Sequence, residues 1–469
     1  DPAPRHHLTG RGRGPLRPWG HPRTGFDAAR LSRVQVVRLV TVAPTLSPWP
    51  SAFRRGGVMT VILAAGVLSG QFEAAVAATT GALNIALLDA AVSRTVWSRA
   101  LWLCLFSTTV IAFLAVLIGD DPWWLVPFLA LLAFLQGSLS GAGVAVANAT
   151  IAAMITAILF SVIPGSLGEA AVAAAWLFLG ALIEVVVALF AWRWERQALL
   201  RRQVRRILGI AAADRTDRSV DRWIEAAGRT LATTELTVVE RRGYDELLEV
   251  ARAGNDSADL ALAARIMGRE ATASGGGPAA AAARSIRFAA DDPVPPAAES
   301  AGSQWRALTE LVRPGSTSFT AGLRLGLLMA IGAVLVQAVH LPQGHWALLV
   351  FALAIRPSYT DTVIGLIARV IGVLAGVVVT SAVAVTSDGS LIALLALAAL
   401  SGILACRWLM GNDIVFFTFL TIFVCVLVDA GDPLSGFGAQ RITATVVGAV
   451  IGLVGALLWP SWRRTANTG

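Results

Sequence analysis

Long, uninterrupted apolar runs recur along this chain, and they constrain its fold more than any other feature. Six lie between residues 57 and 192, and six more lie between residues 319 and 459. A helix of about 20 apolar residues crosses a bilayer. Only 14% of the residues are charged, which is too few for a soluble domain of this length. Because the runs are continuous rather than alternating, they predict an all-α, polytopic membrane protein and not an outer-membrane barrel.

The two groups of six runs are related by a constant offset of 270 residues. Arginines and a tryptophan recur in the same register, which is typical of an internal duplication. The corresponding pairs are Arg54 and Arg324, Arg99 and Arg369, Arg193 and Arg463, and Trp192 and Trp462. We therefore predict about 12 transmembrane helices in two six-helix repeats. An even number of crossings per repeat makes the two repeats parallel.

Loop charges predict the orientation of the chain in a bacterial inner membrane. Arg94 and Arg99 belong to loops assigned to the cytosol, whereas Asp120, Asp121 and Asp388 belong to loops on the other side. This distribution follows the positive-inside rule and places both termini in the cytoplasm. The predicted parts are a basic, disordered arm (1–55), a first membrane repeat (56–192), a cytosolic helical insert with a linker (193–318), a second membrane repeat (319–464) and a tail (465–469).

A few strongly polar residues inside the apolar runs are candidates for a transport site. Each costs about 2.5–3.5 kcal/mol at the centre of a membrane helix, so each needs a reason to be there. Glu184 is predicted about 12 Å inside the membrane, where a carboxyl group could carry a coupling proton or form a packing hydrogen bond. His345 begins an unusually short run and could also exchange a proton, or anchor the helix at the interface.

Two arginines next to the short run 345–355 could attract an anion. A guanidinium group matches a carboxylate through two parallel hydrogen bonds, so Arg356 and Arg369 are candidate substrate ligands. The alternative is that both anchor the chain at the inner leaflet. Trp346 and Tyr359 lie near them in sequence and could contact an aromatic ring.

The order of residues in the second half resembles the fusaric acid resistance protein-like family, also called aromatic acid exporters. The resemblance rests on His345-Trp346, then Arg356-Pro357-Ser358-Tyr359, then Arg369 with Gly372 and Gly376. It implies a plasma-membrane protein with six helices, a cytosolic region and six more helices, which exports small aromatic carboxylic acids. Related plant proteins are malate channels. The first half departs from this signature, since Ala75-Val76 stand where His345-Trp346 stand in the second.

We therefore expect an inner-membrane transporter that exports small organic anions, with aromatic carboxylic acids as the expected class, coupled to the proton gradient. Arg356 and Arg369 would attract the carboxylate, Tyr359 and Trp346 would contact the ring, and Glu184 or His345 would carry the proton. Two alternatives stay open: a passive organic-anion channel, and a non-transporting membrane scaffold that holds partners through the insert.

Several classes of function have no support in the sequence. The insert contains no phosphate-binding glycine loop, zinc spacing or nucleophile motif, so we expect no enzyme activity, no cofactor and no metal. The basic arm has few aromatic residues, so nucleic acid is not an expected partner. The expected partners are the bilayer and a small organic anion, and the sequence is compatible with a homo-oligomer.

Overall fold

A computed structural model describes most of both membrane halves, and every regular element in the described part is helical. The described residues are 47, 49–88, 94–140, 144–213, 244–245, 248, 312–341, 343–354, 359–409, 411–429 and 437–458. The expected all-α class is confirmed for these residues. The predicted arm up to residue 46, most of the insert and the tail lie outside them.

Twelve longer helices run through the described residues, six in each half. The first six are α1 (Trp49–Leu68), α2 (Phe72–Ala86), α3 (Arg94–Ile118), α4 (Pro122–Leu139), α5 (Val144–Phe160) and α6 (Leu167–Ala213). The second six are α7 (Thr317–Ala338), α8 (Gly344–Ala354), α9 (Tyr359–Thr386), α10 (Leu391–Trp408), α11 (Asp413–Asp429) and α12 (Phe437–Leu458).

Seven of these helices are long and apolar enough to cross a membrane within their described residues: α1, α3, α4, α6, α7, α9 and α10. Apolar stretches of α5, α11 and α12 are shorter, at Val146–Phe160, Asp413–Leu427 and Gln440–Gly455. The remaining two, α2 and α8, have only 15 and 11 residues. The protein is therefore a multi-pass membrane protein, with seven full-length candidate spans where we expected about 12.

Local capping explains several of the helix starts. Asp121 accepts a hydrogen bond from the backbone N–H of Trp123, and Pro122 follows it at the first helical position of α4. Ser316 caps α7 by accepting from the N–H of Phe319. The start of α1 differs from the prediction, because the helix already begins at Trp49 and so includes the last residues of the predicted arm.

The helices of the two halves pack in matching pairs. In the first half α2 packs on α6, α3 on α5 and α6, and α4 on α5; in the second half α8 packs on α12, α9 on α11 and α12, and α10 on α11. The contacts between halves also match, since α1 packs on α10 and α7 packs on α4. Each helix therefore has a counterpart six helices further along the chain.

Close backbone contact joins the halves where α4 crosses α7. A Cβ atom added to Gly137 would lie 2.7 Å from the Cα of Gly322, and one added to Gly322 would lie 2.5 Å from the carbonyl oxygen of Phe134. Only glycine permits such an approach, which is how small residues let membrane helices pack. The surrounding core combines side chains of α4, α5, α7, α8 and α9, so both halves contribute to one packed interior.

Candidate functional site

The short helix α8 begins after a turn with two strained residues. His340 and Gln343 both adopt positive φ angles, of 49° and 57°. Such conformations cost non-glycine residues about 1–3 kcal/mol and are concentrated at functional sites. Gly344 then starts α8, with its Cα so close to Val336 that an added Cβ would clash with that side chain. The turn thereby fixes where His345 and Trp346 enter the bundle.

The length of α8 places its first residues deep in the second half. His345 lies nine residues before Ala354, about 14 Å along the helix axis. Arg369 lies ten residues after Tyr359, about 15 Å along α9. A four-residue connection joins α8 to α9, so both distances are measured from the same end of the bundle. His345 and Arg369 therefore lie at similar distances along their helices from the connection between α8 and α9.

Two buried arginines of the second half each lie over an aromatic ring. The guanidinium carbon of Arg441, on α12, is 3.7 Å from the centroid of the Trp346 ring. That of Arg369 is 4.6 Å from the centroid of the Phe417 ring, on α11. His345 adjoins the same tryptophan, with ring centroids 4.9 Å apart. Residues 345, 346, 369, 417 and 441 form what we call the arginine–aromatic cluster.

The arginine–aromatic cluster concentrates positive charge in a buried place. Arg369 and Arg441 are only 8% and 6% exposed. The Nη1 atom of Arg369 is buried and has no hydrogen-bond partner among the described residues. An aromatic ring can cover one face of a guanidinium group. The N–H groups of the guanidinium still donate in its own plane, where an anion could accept their hydrogen bonds.

Backbone packing holds the arginine–aromatic cluster in place. A Cβ atom added to Gly448, two turns after Arg441 on α12, would lie 2.4 Å from the carbonyl oxygen of Ala347. This contact presses α12 against α8 directly beside Trp346. At the other end of α8, Gln136 of α4 donates a hydrogen bond of 3.1 Å to the carbonyl oxygen of Ala352. That bond satisfies one of the last carbonyl groups of the short helix.

The structure brings together three of the six predicted site residues. Trp346, Arg369 and His345 all belong to the arginine–aromatic cluster. Arg356 lies outside the described residues. Tyr359 begins α9, and its side chain is likewise outside the described part. Arg441 and Phe417 were not among the predicted ligands, although an arginine inside the apolar run of α12 was a signal that could have identified the first.

Glu184 lies elsewhere, in the first half of the bundle. It is fully buried on α6 and forms an ion pair with Arg54 of α1, whose side chain is 10% exposed. The neighbouring Arg55 donates a hydrogen bond of 3.3 Å to the carbonyl oxygen of Ala86. The two arginines expected at the membrane flank therefore lie inside α1. The buried carboxylate of Glu184 thus has a basic partner on another helix.

Metal and disulfide chemistry find no site in the described residues. They contain no group of three or more histidine, cysteine, aspartate and glutamate side chains that could hold a metal ion. Cys104, Cys406 and Cys425 are buried and form no disulfide. Each behaves as a small apolar residue within a helix interface.

Comparison with known proteins identifies the second half. Residues 329–455, from α7 to α12, match the model of the fusaric acid resistance protein-like family. The inner membrane protein YccS of Escherichia coli is 27% identical over 167 residues, which cover 34% of this chain and 22% of YccS. The protein ORF2 of Neisseria gonorrhoeae is 26% identical over 173 residues, which cover 34% of this chain and 38% of ORF2.

The similarity covers only part of each protein. The protein YhfK of Escherichia coli is 25% identical over 146 residues, which cover 30% of this chain and 20% of YhfK. The chain thus spans well under half the length of these curated relatives, and no solved structure matches it. The arginine–aromatic cluster lies entirely within the matched residues. The second half of this multi-pass membrane protein therefore carries the fusaric acid resistance protein-like region that its sequence signature indicated.

Proposed function

We propose that the protein is an inner-membrane transporter of small organic anions and that it binds them at the arginine–aromatic cluster. The observation that supports this most directly is the pair of buried arginines in the second half, each of which lies over an aromatic ring. A buried positive charge needs a reason, because removing it from water costs several kcal/mol. Binding of the transported anion would explain why these positive charges are buried.

The arginine–aromatic cluster suits an aromatic carboxylate in particular. Arg369 can donate two parallel hydrogen bonds to a carboxylate, while Trp346 and Phe417 offer apolar ring surface beside the charge. The proposed substrates are therefore small aromatic carboxylic acids. Arg356 and Tyr359, at the connection between α8 and α9, would contribute at the cytosolic approach.

Proton coupling through His345 forms part of the proposal. His345 adjoins the Trp346 ring over which Arg441 lies, so a carboxylate bound beside them would favour a positive charge on His345. Anion binding and proton uptake would then reinforce each other. Glu184, held by Arg54, is the less suitable carrier of the two, because its partner stabilises the charged form throughout.

We also propose that the twelve helices form two parallel repeats with both termini in the cytoplasm. The matching helix pairs of the two halves support this arrangement. The helix starts support it as well, since α6 and α12 begin exactly 270 residues apart, at Leu167 and Phe437, and the others lie within a few residues of that offset. Under this arrangement α2 and α8 are counterparts, and both are short.

The proposed function is tested by flux of labelled 4-hydroxybenzoate into proteoliposomes, with a pH gradient imposed and then collapsed. We expect accumulation that depends on the gradient. The substitution Arg369→Gln should reduce the initial rate about tenfold or more, because losing a charge-assisted hydrogen bond costs about 1.5–3 kcal/mol.

Arg99→Gln is the matched control, because Arg99 is the exposed counterpart of Arg369 in the first half. Its flux should equal that of the unmodified protein. Equal flux in both variants would refute binding at the arginine–aromatic cluster. Flux that equilibrates without any gradient would instead identify a passive channel.

A further inference from the structure

Corresponding buried arginines of the two halves have different partners. Arg54 of α1 and Arg324 of α7 lie 270 residues apart, and both are largely buried. Arg54 forms an ion pair with Glu184, which α6 supplies. The counterpart of α6 is α12, and its 22 residues include no acid. In the first half, α6 therefore supplies an acidic partner for the arginine. In the second half, α12 supplies no such acid.

Two buried arginines in the described part of the second half each have a nitrogen atom without a hydrogen-bond partner. The Nε atom of Arg324 is buried and has no hydrogen-bond partner among the described residues, as is also true of Nη1 of Arg369. Arg324 lies about 10 Å from the start of α7, whereas Arg369 lies about 15 Å from the start of α9. Both helices begin at the cytosolic end in the proposed topology, so the two arginines lie at successive levels.

The first half lacks the rest of the arginine–aromatic cluster. Ala75 and Val76 replace His345 and Trp346. Arg99, the counterpart of Arg369, is exposed at the start of α3 rather than buried in the bundle. Ala171 stands 270 residues before Arg441. An anion from solution thus has no comparable place to bind there.

We propose that the chain has a single site for a mobile anion, in the second half, and that the Glu184 carboxylate is a tethered anion in the first. The inference extends the proposed function and rests on it for the substrate class. It assigns Glu184 a structural role in place of proton transfer. It also predicts that a free carboxylate can replace Glu184 if room is made for it.

Chemical rescue tests the tethered anion directly. Glu184→Ala removes the carboxylate and leaves space beside Arg54, so the full-length purified variant should melt at a lower temperature than the unmodified protein. Sodium acetate should restore half or more of that loss. Acetamide, which has the same shape without the charge, should not, nor should gluconate, which is too bulky for the space.

Two further variants keep the rescue interpretable. Glu184→Asp retains the charge and should need no acetate. Arg54→Gln/Glu184→Ala removes both charges and should gain no more from acetate than the unmodified protein. If acetate raises the melting temperature of Glu184→Ala no more than that of the unmodified protein, while Glu184→Asp remains stable, the tethered-anion assignment is wrong.

Equilibrium dialysis measures how many mobile anions bind to each chain. The unmodified protein and Glu184→Ala should each bind one 4-hydroxybenzoate per chain, and Arg369→Gln should bind none. Two bound molecules per unmodified chain would overturn the single-site assignment. Binding of one molecule without any transport would refute the proposed function and leave this inference standing.

Discussion

Arg441 lies over the Trp346 indole at 3.7 Å, and His345 adjoins the same ring. Arg441 thereby joins α12 to the start of α8 within the arginine–aromatic cluster. A guanidinium group can stack on an indole and still donate hydrogen bonds in its own plane. A lysine ammonium carries the same charge, but it lacks the planar group that stacks flat on an indole and donates in a fixed geometry.

Arg441→Lys should therefore weaken substrate binding without removing the positive charge. We expect the 4-hydroxybenzoate concentration at half-maximal flux to rise about tenfold, since losing a desolvated cation–π contact costs about 1–2 kcal/mol. Concentration-dependent flux measurements give this value. Arg99→Lys should leave it unchanged, and an equal value in Arg441→Lys would show that charge alone is what matters at this position.

The sequence predicted Arg369, Trp346 and His345 as site residues, because polar groups in apolar runs and a short helix are visible without a structure. It did not predict Arg441 or Phe417 as their neighbours. Those contacts join α8, α9, α11 and α12, and no spacing along the chain encodes them. For the same reason the partner of Glu184 was not predicted, since Arg54 precedes it by 130 residues.

At the scale of elements, backbone contact between α4 and α7 is what holds the two halves closest. An added Cβ on Gly322 would lie within 2.5 Å of a backbone oxygen on α4, which cannot move without separating the helices. Small residues such as these glycines permit the close packing of membrane helices. The partner helix followed only from the structure.

Gly322→Ala should consequently destabilise the protein, while Gly57→Ala on α1 should not. The Cβ of Gly57 would meet no atom within 4 Å. Alanine there is also favoured over glycine in a helix, by about 1 kcal/mol. Thermal unfolding in detergent should show a lower melting temperature for the first variant only, and equal melting temperatures would contradict the close crossing.

The apolar runs indicate where the helices lie, because they end at charged residues, prolines or glycines. The first run begins at residue 57, whereas α1 begins at Trp49. Charged residues normally lie outside a membrane helix, but Arg54 and Arg55 lie inside this one because Glu184 and the Ala86 carbonyl accept their hydrogen bonds. Tertiary hydrogen bonds thus allow α1 to begin before the residue at which the apolar run begins.

At the scale of the whole molecule, the orientation of the two repeats decides which side of the membrane their turns face. The turn at Asp120, between α3 and α4, corresponds to the turn at Asp388, between α9 and α10. Parallel repeats place both turns on the outer side of the membrane, whereas inverted repeats would place them on opposite sides.

Cysteine labelling in intact cells separates these arrangements. Asp120→Cys and Asp388→Cys should both react with a membrane-impermeant maleimide, and Arg313→Cys, exposed before α7, should react only after permeabilisation. The three native cysteines are buried and give a low background. Labelling of only one of the two turns in intact cells would contradict the parallel arrangement.

The unbroken helix α6 has a mechanical consequence. It runs from Leu167 to Ala213, about 70 Å, and its apolar span ends near Ala191. Because the helix is continuous, a tilt of its membrane segment also displaces its far end. A tilt of about 10° pivoting at Ala191 would displace Ala213, about 33 Å further on, by about 6 Å. Glu184 ties the membrane segment of α6 to α1, so a rearrangement at that ion pair would produce a larger displacement at the end of α6 beyond the apolar span.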